Sequence, residues 1–236
     1  MTHIGQEITS SRSRGGLYRS FGKRLFDLVV AAPTLILLSP ALAILALLVR
    51  IKMGAPVFFR QTRPGYRGRP FEPCKFRTML DTRDADGEVL ADVDRLPSLG
   101  RVLRSTSLDE LPQLWNVVKG EMSLVGPRPL LLEYLPYYTE REQVRHSVRP
   151  GVTGLAQISG RNRLPWDERL ELDARYAETL SFSLDLAILF KTVRLVIGRR
   201  DVVDVSTRGE PNLGSYRRGQ LCADGAEREL EHETER

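Results

Sequence analysis

Two adjacent carboxylates, Asp109 and Glu110, are the side chains in this sequence whose type and spacing best suit chemistry. They lie in RSTSLDELPQ (104–113), which is typical of a helix start: either Ser107 and Glu110 form a capping box, or Asp109 caps and Pro112 is the third helical residue. In both arrangements the helix dipole keeps the carboxylates ionised. An ionised aspartate can act as a nucleophile, and a neighbouring glutamate can bind a divalent metal. Taken alone, the segment is more typical of a simple helix cap.

A single arginine between two prolines, Arg128 in GPRP (126–129), is a second candidate. The prolines restrict the backbone, which lowers the entropy cost of presenting the guanidinium group to an anion. The alternative interpretation is a turn that ends a helix and carries a surface arginine.

The glycine-rich segment RPGVTGLAQISGRN (149–162) is a third candidate, because glycines let backbone N–H groups approach a ligand and Arg149 and Arg161 could meet phosphate. In isolation this signal is weak. Further basic residues precede it in the chain, and for most of them a solvated face or a contact with lipid headgroups is the expected role; they are Arg60, Arg63, Arg67, Arg69, Lys75 and Arg77.

Composition excludes several other classes. The chain has 236 residues, of which 42% are hydrophobic and 28% charged, so a wholly disordered or collagen-like protein is excluded. Its two cysteines and three histidines are scattered, which argues against a disulfide framework, a structural zinc site and histidine-based metal chemistry. Residues 1–80 hold 13 basic and 3 acidic side chains, whereas residues 81–236 hold 22 and 27. The basic part also carries the longest apolar run, which favours an anionic membrane surface over nucleic acid as a partner.

That apolar run, Leu28 to Val49, has no charged residue and as a helix would measure roughly 33 Å, enough to cross a bilayer core. Pro33 and Pro40 interrupt its hydrogen bonds, and both flanks are basic, which places both ends on the cytoplasmic side. A re-entrant helix hinged at Ser39-Pro40, entering and leaving by one leaflet, satisfies both features. A kinked single span is the alternative, and a buried helix of a soluble protein is less favoured still.

The rest of the chain predicts an α+β fold that is mostly helical. Residues 1–20 are expected to be a flexible basic arm, 21–52 the re-entrant membrane helix, 53–200 a membrane-associated catalytic domain on the cytoplasmic face, and 201–236 a polar, disordered tail. Residues 56–79 predict a small β-hairpin region. Hydrophobic spacing predicts helices, including amphipathic surface helices, over 98–119, 130–148, 166–180 and 184–197.

Five ordered blocks together resemble the bacterial sugar transferases, the monotopic phosphoglycosyl transferases that begin lipid-linked glycan assembly. The resemblance covers about residues 20–200, and the chain is similar to the minimal catalytic form of the family. The blocks are KRLFD (23–27), the Ser39-Pro40 pair, GAPVFFRQTRPGYRGRPFEPCKFRTM (54–79), LRSTSLDELPQLWNVVKGEMSLVGPRP (103–129) and RPGVTGLAQISGRN (149–162).

The resemblance implies transfer of a sugar-1-phosphate from a UDP-sugar to undecaprenyl phosphate, with release of UMP, at the cytoplasmic face of the bacterial inner membrane. It implies that Asp109 is the nucleophile, forming an aspartyl phosphosugar intermediate, and that Glu110, with Asp109 beside it, binds Mg²⁺. Substrate-binding roles follow for five further residues, which are Arg104, Arg128, Lys75, Arg77 and Asp185. The sequence leaves open the sugar, the glycan pathway and whether the protein forms a homo-oligomer.

Two hypotheses from other classes compete with this one. A membrane-anchored adaptor without catalysis would make the acidic pair a helix cap, so that Asp109→Asn leaves function intact. A basic nucleic-acid binder would suit the isoelectric point of about 9.4. No nucleic-acid reader motif is present in the sequence, however, and the basic charge lies beside the apolar run, so no nucleic-acid partner is expected.

Overall fold

A computed structural model describes residues 16–84, 86–160, 164–198 and 212–220, and within these ranges the chain is mostly helical with a few short strands. A π-helical turn, Tyr18–Gly22, leads into the long helix α1. The helices are α1 (Lys23–Met53), α2 (Asp92–Arg95), α3 (Ser98–Ser105), α4 (Gln113–Lys119), α5 (Glu140–Gln143), α6 (Leu155–Ser159), α7 (Trp166–Thr179), α8 (Phe182–Ile197) and α9 (213–220). The strands are β1 (Phe58–Arg60), β2 (Arg63–Pro64), β3 (Pro70–Phe71), β4 (Cys74–Phe76), β5 (Ser123–Val125) and β6 (Gly151–Thr153).

Helix α1 and the turn before it form one stretch, Tyr18–Met53, that is long and apolar enough to cross a membrane. It remains helical through both prolines. Pro40 cannot donate to the Ile36 carbonyl, and the Ser39 hydroxyl donates to that oxygen instead, at 2.7 Å. The structure therefore confirms a long apolar helix and shows that a serine compensates for the proline, while the hinge and the re-entrant course stay predictions.

The predicted hairpin region is present as two nested antiparallel pairs. Strand β1 pairs with β4, with Phe59 opposite Lys75, and between them β2 pairs with β3. Alternation along β4 buries Cys74 and Phe76 and directs Lys75 to the other face. The hairpin is joined to α1 by Arg77, whose guanidinium group donates to the carbonyls of Met53 and, at 2.7 Å, Ala55.

A parallel pair, β5 with β6, was not predicted, and it changes the interpretation of the glycine-rich segment. A Cβ added to Gly151 would lie 2.0 Å from the Gly126 nitrogen, and one added to Gly126 would lie 2.4 Å from the Arg149 carbonyl oxygen. These glycines therefore allow two backbones to meet, rather than a ligand to approach. Arg149 donates to the Gly120 carbonyl at 2.9 Å, and Arg161 lies outside the described residues.

Three apolar clusters hold the elements together. The main one joins α1, α4, β5, α7 and α8, a second lies between α7 and residues 130–138, and a third packs the C-terminal half of α1 on β4 and α3. Fully buried side chains in the main cluster include Ala31, Val117, Val125, Tyr176 and Ile188.

The structure differs from the predicted elements in three places. Residues 130–148 form short pieces, Leu132–Tyr137, α5 and Val144–Ser147, because Pro136 and the Thr139 cap interrupt a continuous helix. Within the predicted disordered tail, residues 213–220 are helical. Of the predicted flexible arm, residues 16–20 are helical, and residues 1–15 lie outside the described part.

Candidate active site

The acidic pair lies in a tight connection between two helices. Helix α3 ends at Ser105, Ser107 takes a left-handed conformation (φ 57°), and Leu108–Glu110 form a single 3₁₀ turn. Pro112 is the residue before α4, and the Ser107 side chain makes no capping bond. Both predicted arrangements, the Ser107–Glu110 capping box and the Asp109 cap, are therefore wrong, because the carboxylates precede α4 instead of starting it.

Glu110 is held by two cations from distant parts of the chain. Its Oε1 lies 2.6 Å from Lys75 Nζ on β4 and 2.8 Å from Arg128 Nη2, and its side chain is 18% exposed. Burial alone would raise the pKa of Glu110, but the charges of Arg128 and Lys75 hold it well below its usual range. Glu110 is therefore a fixed anion, and the predicted residues Lys75 and Arg128 lie at the same site.

Asp109 differs from its neighbour. Burial and the charge of Glu110 raise the pKa of Asp109 from 3.8 to about 6, against the opposing effect of Lys75, Arg128 and Arg104. Among the described residues, none hydrogen-bonds to its carboxylate. The helix dipole was expected to keep both carboxylates ionised, but a single 3₁₀ turn has little dipole, and it is the neighbouring cations that oppose the effect of burial and of the like charge. Asp109 is thus an unpaired, half-buried carboxylate that is mostly ionised at neutral pH.

Arg104 joins this cluster from the end of α3. Its Nε donates to Thr78 Oγ1 at 2.9 Å, which fixes the side chain, and its charge lowers the pKa of Asp109. Three cations, Arg104, Lys75 and Arg128, thus surround two carboxylates, and we name these five residues the acidic-pair cluster. Such a cluster can bind a polyanion beside a free carboxylate.

The other two predicted substrate-binding residues make their contacts elsewhere. Arg77 caps the end of α1, as described above. Asp185 on α8 is completely buried and accepts from Lys23 Nζ at 2.6 Å, Tyr18 Oη at 2.7 Å and Tyr176 Oη at 2.6 Å. This network fastens the start of α1 to α7 and α8, so Asp185 acts on the position of the membrane helix.

Sequence reasoning missed a buried ion pair directly behind Arg128. Arg145 Nη2 donates to the Arg128 carbonyl at 2.6 Å and to Asp173 Oδ2 at 2.7 Å, and both side chains are at most 2% exposed. Spacing alone gives no signal for this pair. It also missed the role of Asp27 in KRLFD, which accepts from the Leu124 N–H at 3.0 Å; a single acid at the edge of an apolar run could have indicated it.

The donor set is compatible with Mg²⁺. Among the described residues there is no group of three or more His, Cys, Asp and Glu side chains that could enclose a metal. Magnesium is commonly bound by one or two carboxylates together with substrate phosphates, and Asp109 and Glu110 supply two. The mutual repulsion that raises the pKa of Asp109 is also what a bound cation would relieve.

Comparison with known proteins finds relatives among sugar transferases. The chain is 54% identical over 175 residues to the "Uncharacterized sugar transferase EpsL" of Bacillus subtilis (strain 168), covering 74% of this chain and 87% of that one. It is 42% identical over 181 residues to the "UDP-glucose:undecaprenyl-phosphate glucose-1-phosphate transferase" of Caulobacter vibrioides, covering 72% and 68%. It is 37% identical over 210 residues to the "Exopolysaccharide production protein ExoY" of Rhizobium meliloti, covering 82% and 91%. The family "Bacterial sugar transferase" matches residues 18–199, and the chain belongs to that family.

Proposed function

We propose that the protein is a membrane phosphoglycosyl transferase that moves a sugar-1-phosphate from a UDP-sugar to undecaprenyl phosphate and releases UMP. The observation that carries the proposal is the pairing of an unpartnered carboxylate, Asp109, with a glutamate held by Lys75 and Arg128. The names of relatives support the substrates, since the Caulobacter relative is a UDP-glucose:undecaprenyl-phosphate transferase.

In the first step, an oxygen of Asp109 attacks the β-phosphorus of the UDP-sugar. An Asp109 O–P bond forms, and the bond from that phosphorus to the bridging oxygen breaks, so that UMP leaves with the electron pair. In the second step, a phosphate oxygen of undecaprenyl phosphate attacks the same phosphorus, and Asp109 leaves as a carboxylate. Neither step requires a net proton transfer, which suits a site whose glutamate is a permanent anion.

The cations around the acidic pair serve charge compensation in both steps. Attack of a carboxylate on a pyrophosphate is unfavourable unless the negative charges are offset, and Arg104, Arg128 and Lys75 surround the reacting position. Mg²⁺ bound by Asp109 and Glu110 would supply further charge neutralisation of the donor phosphates. The unpaired Asp109 can reach a phosphorus atom without first breaking a hydrogen bond.

The membrane helix explains how a lipid acceptor can meet this site. Many apolar side chains on α1 are exposed, including Val29 (61%), Ile36 (74%) and Leu37 (80%), and an exposed apolar helix of this length suits burial in lipid. We propose that α1 enters the cytoplasmic leaflet of the bacterial inner membrane as a re-entrant helix. Undecaprenyl phosphate would then remain in the bilayer while its headgroup reaches Asp109.

Release of UMP tests this function. The purified chain, in lipid nanodiscs with Mg²⁺ and undecaprenyl phosphate, is incubated with a panel of UDP-sugars. We expect UMP from at least one donor, none with Asp109→Asn, and unchanged release with the matched control Asp94→Asn, which alters an exposed carboxylate. If the folded protein releases no UMP with any donor, the proposal is wrong and the adaptor hypothesis is favoured. If Asp109→Asn releases UMP as fast as the wild type, Asp109 is not the nucleophile and the proposed mechanism is wrong.

A further inference from the structure

Helix α9 packs against the rest of the described protein, although it lies beyond residues 18–199, which match the family. Leu213 at its start is completely buried. Partly buried Leu130 and Leu131, which follow Arg128 closely in the chain, pack in the same cluster. The other buried members of this cluster are Tyr134, Tyr138, Trp166 and Leu170. Helix α9 therefore packs on the segment that carries Arg128 into the active site.

Polar contacts fix α9 in this position. Asp167 on α7 accepts from Tyr216 Oη at 2.6 Å, from Arg217 Nη1 at 2.7 Å and from Gln220 Nε2 at 3.0 Å. Arg217 also pairs with Glu142, and these two side chains are only 17% and 8% exposed. Arg217 therefore links α9 to both Asp167 and Glu142, so polar as well as apolar contacts hold α9.

A continuous set of contacts leads from α9 to the acidic pair. Leu213 packs in the cluster that contains Tyr138, and Tyr138 Oη accepts from Arg145 Nη1 at 3.0 Å. Arg145 donates to the Arg128 carbonyl at 2.6 Å, and Arg128 binds Glu110 at 2.8 Å. The Arg128 backbone is thus linked, through Arg145, to a tyrosine that lies in the same apolar cluster as Leu213 of α9.

We propose that α9 is a latch that positions Arg128 for binding the donor phosphates, with Leu213, Tyr138 and Arg145 as positioning residues. This inference rests on the proposed function. When the latch is released, the Tyr138 ring loses its packing and Arg145 loses a fixed partner, so the Arg128 turn becomes less well held. Donor binding weakens, whereas the carboxylate that reacts is untouched.

The test uses the full chain in nanodiscs with the UDP-sugar that the wild type accepts, and measures kcat and the donor KM by UMP release. Leu213→Asp releases the latch, while Tyr138→Phe keeps the ring and removes only the hydroxyl that Arg145 uses. We expect each to raise the donor KM about threefold to tenfold, the factor of roughly one hydrogen bond, with little change in kcat. The matched control Arg218→Ala removes an exposed arginine of the same helix, 3.4 Å from Tyr137 Oη, and should leave both constants unchanged.

A double variant separates positioning from simple stabilisation. The double variant carries both Leu213→Asp and Tyr138→Phe. If both residues act through Arg128, its donor KM is no higher than the larger of the two KM values of the single variants. Lower melting temperatures with an unchanged donor KM would overturn the latch while leaving the proposed function intact. Absence of UMP release by the wild type with every donor would overturn both. If Leu213→Asp does not fold, Arg217→Ala replaces it, since Arg217 links α9 to Asp167 and Glu142.

Discussion

Replacement of Asp109 by asparagine is expected to stabilise the protein while it abolishes activity. The pKa of Asp109 lies near 6 in the folded chain, against an ordinary value of 3.8. Its ionised form therefore has a higher free energy in the folded state than in the unfolded state. The cause is burial together with the charge of Glu110, and an amide of the same shape removes both effects. Each pKa unit corresponds to about 1.4 kcal/mol, so the full cost of the ionised form is about 3 kcal/mol.

The sign of this effect depends on pH. The folded pKa is raised, so stability falls as pH rises from about 4 to about 6, and the cost is fully present above that range. At pH 7.5 in detergent with EDTA, we expect Asp109→Asn to increase the melting temperature by roughly 2–10 °C, which corresponds to about 1–3 kcal/mol for a chain of this length. Below pH 4 the gain should disappear.

Thermal unfolding followed by intrinsic fluorescence at pH 7.5 and pH 4 measures both quantities. The control is Asp94→Asn, an exposed carboxylate of the same type, which should not change the melting temperature at either pH. Two results would refute this prediction: wild-type stability of Asp109→Asn at pH 7.5, or equal stabilisation by Asp109→Asn at pH 4. In the first case the Asp109 carboxylate is not destabilised by its surroundings.

Three further predictions address other parts of the site. Arg128→Ala should raise the donor KM by about 10-fold to 100-fold, because it removes a charged hydrogen bond to phosphate; UMP-release kinetics measure this, and an unchanged KM would contradict it. Asp185→Asn leaves Lys23 buried without its anion and should destabilise the protein by about 3–5 kcal/mol in chemical unfolding; wild-type stability combined with lost activity would instead place Asp185 in the chemistry. Cysteines introduced at exposed Leu17 and Ile51 should both react with an impermeant maleimide from the cytoplasmic side if α1 is re-entrant, whereas labelling from opposite sides would show a span.

Local patterns predicted the elements whose residues carry their own signal. The charge-free run predicted α1, and the spacing of apolar residues predicted α7 and α8. The aromatic and β-branched residues of 56–79 predicted a small β-hairpin region, but not its two nested strand pairs. The parallel pair of β5 and β6 was beyond such reasoning, because its strands have three residues each and are joined by a long connection. Helix α9 was missed because it is a polar helix without hydrophobic periodicity, and it is stabilised by its contacts with other elements.

The site was predicted in its residue types but not in its electrostatics. Asp109 and Glu110 stood out as a pair, yet the lowered pKa of Glu110 depends on Lys75, 35 residues earlier, and on Arg128, 18 residues later. The raised pKa of Asp109 depends on its burial and on the charge of Glu110. Only the fold brings these charges together. For the same reason, the hydrogen bond from Arg145 to the Arg128 carbonyl cannot be inferred from spacing along the chain.

The central claim is a covalent aspartyl phosphosugar on Asp109, and intact-protein mass spectrometry without lipid acceptor tests it most directly. The protein is incubated with Mg²⁺ and each UDP-sugar, quenched in acid, weighed, and digested to locate any adduct. We expect a mass gain of one sugar-phosphate, located on Asp109, removed by adding undecaprenyl phosphate and absent in Asp109→Asn. UMP release that requires the acceptor and never leaves an adduct would contradict the account and favour direct transfer.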